Sequence, residues 1–200
     1  MSQTIENKVI SRIYGKGRGW SFTPSHFSDL GNNTIIRKSL SNLEKKGKIR
    51  RLAFGIYDYP SIHKDLGTIA PDLDKVARAI AERDQIRIQP GGAYAANLLG
   101  LSEQVPGKVI YLTDGKSSKI TIGKRQIIFR KTTAKNMKTA GSISGLVIQA
   151  LRYLGKDHMT PTVIKTLTRK LTQKDIKRLK LDAHLAPAWI TQIIREDVLS

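Results

Sequence analysis

Apolar residues fall at helical spacing in the first part of the chain and then switch to short alternating runs. Ile5, Val9 and Ile13 recur at i, i+4 and i+8 within residues 4–14 and define one helix face. Gly15-Lys-Gly-Arg-Gly19 breaks that helix, and Trp20 and Phe22 follow as apolar anchors. Thr23-Pro24 reads as a cap with proline at the first helical position, which predicts a short helix over 24–30 with Phe27 and Leu30 facing inward. Gly31-Asn32-Asn33 is a turn, with Asn33 as cap of the next helix. That third helix is expected over 34–46, with Ile36, Leu40 and Leu43 as its buried stripe. Gly47 stops it. Residues 48–52 and 56–59 then read as two strands joined by Ala53-Phe54-Gly55 and closed by Pro60.

Residues 61–71 read as a linker punctuated by Pro60, Gly67 and Pro71. A helix follows over 73–83, a strand over 85–89 and, after Gly91-Gly92, a helix over 93–99. Residues 109–113, 119–122 and 126–131 are three strands expected in meander order. Helices over 143–154, 161–171, 173–180 and 187–198 finish the chain. The expected fold class is therefore α+β, in three parts: an N-terminal module over 1–60, a linker over 61–71, and a small mixed domain with a helical C-terminus over 72–200.

The N-terminal order of helix, short helix, turn, helix and hairpin is that of a winged helix-turn-helix. In that fold the third helix enters the major groove and the hairpin touches the flanking backbone. Charge sharpens this. The chain carries 35 Lys and Arg against 16 Asp and Glu, a formal +19, which attracts polyanions through counterion release. Seven basic residues and one acid, Glu44, lie between Arg37 and Arg51, where the fold would present them to DNA. The expected interface is Thr34, Arg37, Lys38, Ser41, Asn42, Lys45, Lys48, Arg50 and Arg51. Arg37, Lys38 and Ser41 are assigned to bases, and Lys45, Lys48, Arg50 and Arg51 to phosphates. Phe54 and Tyr57 are expected to pack the hairpin rather than touch backbone. Two further basic runs stand out: 116–138, with eight cations and no acid, and 165–180, with seven cations against Asp175. Each reads as a second phosphate surface, a dock for an acidic protein, or a solvated face.

Little else in the chain carries chemistry. It has no cysteine, which excludes disulfides, Cys-ligated zinc and thiol nucleophiles. His26, His63, His158 and His184 stand far apart and form no metal-ligand spacing, so no metal site is expected. Gly15–Gly19 follows a helix and lacks the dinucleotide spacing. Gly115-Lys116-Ser117 resembles the end of a phosphate loop, but Ile110 stands where the first glycine belongs. The expectation is a protein that is not an enzyme and needs no cofactor. With no signal pattern and no apolar run of about 18 residues, it is also expected to be cytoplasmic and without a membrane partner.

Three segments together resemble the AbiEi-like antitoxins of bacterial type IV, or abortive infection, toxin–antitoxin systems. They are Gly19-Trp-Ser-Phe-Thr-Pro-Ser-His-Phe-Ser-Asp-Leu-Gly31, Lys46-Gly-Lys-Ile-Arg-Arg-Leu-Ala-Phe-Gly-Ile-Tyr57, and Gly91-Gly-Ala-Tyr-Ala-Ala-Asn-Leu-Leu-Gly-Leu101 followed by Val109-Ile-Tyr-Leu-Thr113. The resemblance spans most of 4–135. It implies autoregulation of an operon through inverted repeats in double-stranded DNA; a single winged helix reads only a short half-site, so a monomer or weak dimer is expected to place two copies on the site. It also implies a second domain that counteracts a nucleotidyltransferase-like toxin. The residues themselves leave open a stand-alone transcriptional regulator without a toxin, and an RNA-binding protein.

Overall fold

A computed structural model of the chain describes residues 4–104 and 106–198. The architecture is mixed α and β. The chain divides after Gln85 into two compact units, with residues 121–123 grouped in the first.

The first unit begins with α1 (Ile5–Lys16), whose first turn is closed by the Thr4 hydroxyl accepting from the Asn7 amide. Strand β1 (Ser21–Phe22) and one 3-10 turn (Pro24–Phe27) lead to α2 (Asn33–Lys45). The helix expected over 24–30 is only that 3-10 turn. Proline opens it, Phe27 is its one buried anchor, and four residues are too few to repay α-helix nucleation. Asn32, not Asn33, caps α2: its Oδ1 accepts from the Ile35 amide at 2.9 Å. Ile36, Leu40 and Leu43 are buried as their spacing predicts, and share one core with Val9, Ile13, Phe22, Phe27, Ile49 and Tyr57. Each such side chain contributes about 1.5–3 kcal/mol on burial.

Strands β2 (Arg50–Ala53) and β3 (Ile56–Asp58) form an antiparallel hairpin, and β1 pairs with β3 on its other side. Gly55 sits at φ +67 in the turn, a conformation that excludes most side chains. The stretch expected as a linker holds a small hairpin of β4 (Ile62–His63) and β5 (Gly67–Thr68). Helix α3 (Leu73–Asp84) then belongs to the first unit, whereas the sequence placed it beyond the boundary. It buries Leu73, Val76, Ala77, Ala79 and Ile80, so the first unit carries more apolar helix surface than the hydrophobic pattern of 1–60 implied.

The second unit contains β6 (Ile88–Pro90), α4 (Gly92–Leu98), β7 (Lys108–Thr113), β9 (Arg125–Lys131) and the first three residues of β8 (Ser118–Ile122), whose last two group with the first unit. Helices α5 (Ala134–Met137), α6 (Ile143–Leu154), α7 (Pro161–Lys170), α8 (Gln173–Asp182) and α9 (Ala188–Ile193) follow, and a π-turn over Ile194–Val198 ends the described chain. The sheet order is β6-β7-β9-β8, with β7 and β9 parallel from Lys108↔Gln126 to Thr113↔Lys131. This corrects the expected meander. Val109, Tyr111, Ile127 and Phe129 are buried, which suits central strands, while Ser118, Lys119 and Thr121 are exposed, which suits an edge. Helix α6 is the centre of the helical core, with Val147, Ile148, Ala150 and Leu151 buried among Leu167, Leu179, Ile190 and Ile194.

Candidate nucleic-acid interface

Opposite the buried stripe of α2, the residues at i, i+3, i+4, i+7 and i+11 are Thr34, Arg37, Lys38, Ser41 and Lys45. All are exposed except Ser41, which is half-buried. They form one ridge of hydroxyl and cationic donors, because a helix returns side chains to the same face every three or four residues. Lys48 and Arg51 extend the exposed positive charge into the β2–β3 hairpin.

Two contacts fix Arg37. Its Nε donates to Asn33 Oδ1 at 2.9 Å, and its guanidinium carbon lies 5.8 Å from the Phe54 ring centroid. The Arg51 guanidinium lies 5.6 Å from the same centroid. Phe54 is 76% exposed at the hairpin turn and links α2 to β2 through two cation–π contacts. Its ring thus packs on Arg51 of the hairpin and also reaches Arg37 of α2, which the sequence did not suggest, whereas Tyr57 is buried in the core. With Nε occupied, Arg37 keeps both terminal nitrogens free for a forked contact. Arg37 and Phe54 also wall a cleft of about 480 Å³ that takes in Pro24, Ile36 and Arg83. Arg83 is held by Asp84 at 2.7 Å.

Two expected members are turned elsewhere. Asn42 is half-buried and donates through Nδ2 to Glu6 Oε2 at 3.1 Å, so its amide faces α1 rather than the ridge. Arg50 forms a forked pair with Asp58, at 3.0 Å and 2.6 Å, and also donates to the Ile69 carbonyl. Asp58 is Arg50's cross-strand neighbour and its side chain is only 3% exposed. A buried carboxylate demands such a partner, and that demand removes Arg50 from the free cations.

Three acids of this unit, Glu6, Asp29 and Asp58, thus hold cations away from the ridge, while Glu44 on α2 has no ion-pair partner among the described residues. Glu6 pairs with Lys46 and Asp29 with Arg12. The Lys46 hydrogen bond, helped by Asn42, holds the Glu6 carboxyl below its ordinary range. The Arg12 guanidinium does the same to Asp29. Among the described residues, Arg37, Lys38, Lys45, Lys48 and Arg51 have no ion-pair partner.

A family model matches residues 8–179. The chain belongs to DUF6088, a family of unknown function. Among curated proteins none matches it. Over 99% of its length this DUF6088 chain is similar, at 15% identity, to 77% of the RV2827C protein from Mycobacterium tuberculosis, with a TM-score of 0.47 against that crystal structure.

His26 of the DUF6088 chain has a structural role. Its Nδ1 accepts from the Thr23 amide at 3.2 Å, which places the proton on Nε2 for donation to Glu82 at 2.9 Å. No group of three or more potential metal ligands occurs among the described residues, and no described helix is long and apolar enough to cross a membrane. Sequence reasoning missed Asn33 as the support of Arg37, although their i, i+4 spacing was a readable signal. It also missed Phe54 as the bridge, which needs the hairpin and α2 to be placed together and leaves no local trace.

Proposed function

We propose that the N-terminal part of the chain is a winged helix-turn-helix that binds double-stranded DNA in a sequence-specific way and represses transcription. In this reading α2 is the recognition helix and β2–β3 the wing. The carrying observation is the acid-free ridge of Thr34, Arg37, Lys38, Ser41 and Lys45, which stands beside the Arg51–Phe54 hairpin. Arg37 offers a fork that fits guanine O6 and N7, and Lys38 and Ser41 lie next to it for neighbouring bases. Lys45, Lys48 and Arg51 neutralise phosphates and fix the register. Arg50 and Asn42 support the interface from behind. One such helix reads a short half-site, so two copies on an inverted repeat would complete an operator.

The second unit is assigned the antitoxin role, acting against a nucleotidyltransferase-like toxin. The resemblance of 4–135 to AbiEi-like antitoxins supports this part, while the ridge supports DNA binding independently. The reading assigns the chain no catalytic activity of its own and places it in the cytoplasm.

The test is binding of the purified chain to its own upstream DNA, to a scrambled duplex of equal length and to a structured RNA, at near-physiological salt. A preference for the upstream duplex of about 10³-fold or more, lost on changing Arg37 and Lys38, is the expected result. Equal binding to all three would mean that only net charge is read, and would overturn the repressor reading.

A further inference from the structure

The second unit carries a helix face with the same donor chemistry as α2. On α7, Thr162, Lys165, Thr166 and Arg169 fall at i, i+3, i+4 and i+7. The first four ridge positions of α2 have the same spacing, and both faces contain only hydroxyl and cationic donors. Thr162, Lys165 and Arg169 are exposed, Thr166 is half-buried, and the four line a shallow depression of about 400 Å³ together with Pro161. The opposite side of α7 is anchored by Leu167, fully buried in the helical core. Thr160 caps the helix, and Pro161 starts it. The face is therefore held rigidly.

Two of the neighbouring acids are engaged away from the face. Asp175 is turned back to cap α8, accepting from the Thr172 amide and hydroxyl. Asp182 is held by Arg178 at 2.7 Å. Glu196 and Asp197 share a groove with Lys165 and Arg169, yet among the described residues neither cation forms an ion pair. Lys170, Lys174 and Lys177 add further exposed cations on α7 and α8.

We propose that the Thr162–Lys165–Thr166–Arg169 face of α7 binds the phosphate backbone of double-stranded DNA without reading sequence. The choice of DNA as the polyanion rests on the repressor reading. The face itself rests on the spacing, the rigid anchoring and the free cations. Short hydroxyl donors between two cations match a row of phosphate oxygens, since backbone contacts draw on these residue types.

The experiment measures affinity of the full chain for the upstream duplex and a scrambled duplex across about 50–200 mM salt. Three proteins are compared: the wild type, Lys165→Gln/Arg169→Gln, and a control with equal charge loss at exposed lysines elsewhere, Lys64→Gln/Lys108→Gln. Thermal transitions are recorded for each, and Lys165→Glu/Arg169→Glu serves as a second, stronger pair. Losing two phosphate contacts should flatten the slope of log affinity against log salt by about 1.8 on both duplexes. Preference for the upstream sequence should stay unchanged, and the control should change the slope less. Unchanged affinity and slope, or a loss equal to the control, would overturn the proposal and leave an acidic protein as the partner of α7. A wild type without sequence preference would remove the repressor reading alone, because the slopes still decide α7. A wild type that binds neither duplex would remove both.

Discussion

The Arg37 guanidinium carbon lies 5.8 Å from the centroid of the Phe54 ring. This contact ties the exposed ridge of α2 to the β2–β3 turn, and Arg51 completes it from the strand. Phe54 is too exposed to add much to the core, so Phe54→Ala should leave the thermal midpoint nearly unchanged. It should weaken binding to upstream DNA severalfold, because Arg37 and Arg51 lose a support of about 0.5–1 kcal/mol each. Calorimetry and a binding isotherm on the same preparation measure both. A large fall in stability with unchanged DNA affinity would assign Phe54 to packing.

Arg37→Ala should lower discrimination between operator and random duplex by about 1–3 kcal/mol. Asn33→Ala, which frees the Arg37 Nε, should produce a smaller loss in the same direction. Competition assays with both duplexes give the two numbers. Equal losses on operator and random DNA for Arg37→Ala would remove its base-reading role.

Arg50 and Lys48 are near neighbours in sequence with opposite expectations. Arg50→Ala strands the buried Asp58 carboxylate and should cost about 2–3 kcal/mol in unfolding free energy, below the full value for a buried pair because Arg50 is partly solvated. Lys48 is exposed, so Lys48→Ala should leave stability unchanged and flatten the salt dependence of DNA binding by about 0.9. Denaturant titration and salt titration together separate the two roles.

The Glu6 carboxyl titrates below its ordinary 4.5 because Lys46, and then Asn42, bond to its charged form. A carboxyl depressed in the folded state stabilises above its unfolded pKa, and that contribution is lost as pH falls through the folded value. Glu6→Gln should therefore destabilise the chain by about 0.2–1 kcal/mol near neutral pH, the range of a solvated pair. The difference from wild type should shrink progressively below about pH 4.5. Unfolding curves at pH 7 and pH 3 provide the check, and a difference independent of pH would refute the assignment.

Gly145 lies in the first turn of α6, where alanine would ordinarily gain about 1 kcal/mol of helix propensity. A Cβ there would run into the Thr139 carbonyl oxygen and Gln89 Oε1. Thr139 contributes backbone, which yields less readily than a flexible side chain, so overpacking of about 1–3 kcal/mol should win. Gly145→Ala is expected to lower the thermal midpoint, and a rise would show that the turn at Thr139 can relax.

The sequence by itself determined the elements whose signal is local. The 3.6-residue period placed the buried stripe of α2 and, with it, the exposed ridge at Thr34, Arg37, Lys38, Ser41 and Lys45. Proline and glycine marked the ends of most elements. The tertiary structure alone decided which polar groups are free. Arg50 and Lys48 look alike along the chain, but only Arg50 faces a buried Asp58 across a strand pair. Asn42 is bound by Glu6, which lies 36 residues away. Strand order was hidden for the same reason: β7, β8 and β9 are consecutive, yet β9 lies between the other two. Periodicity reports which side of an element is apolar. It carries no information on which distant element covers that side, and partner choice for a strand or a buried charge is settled only by that long-range packing.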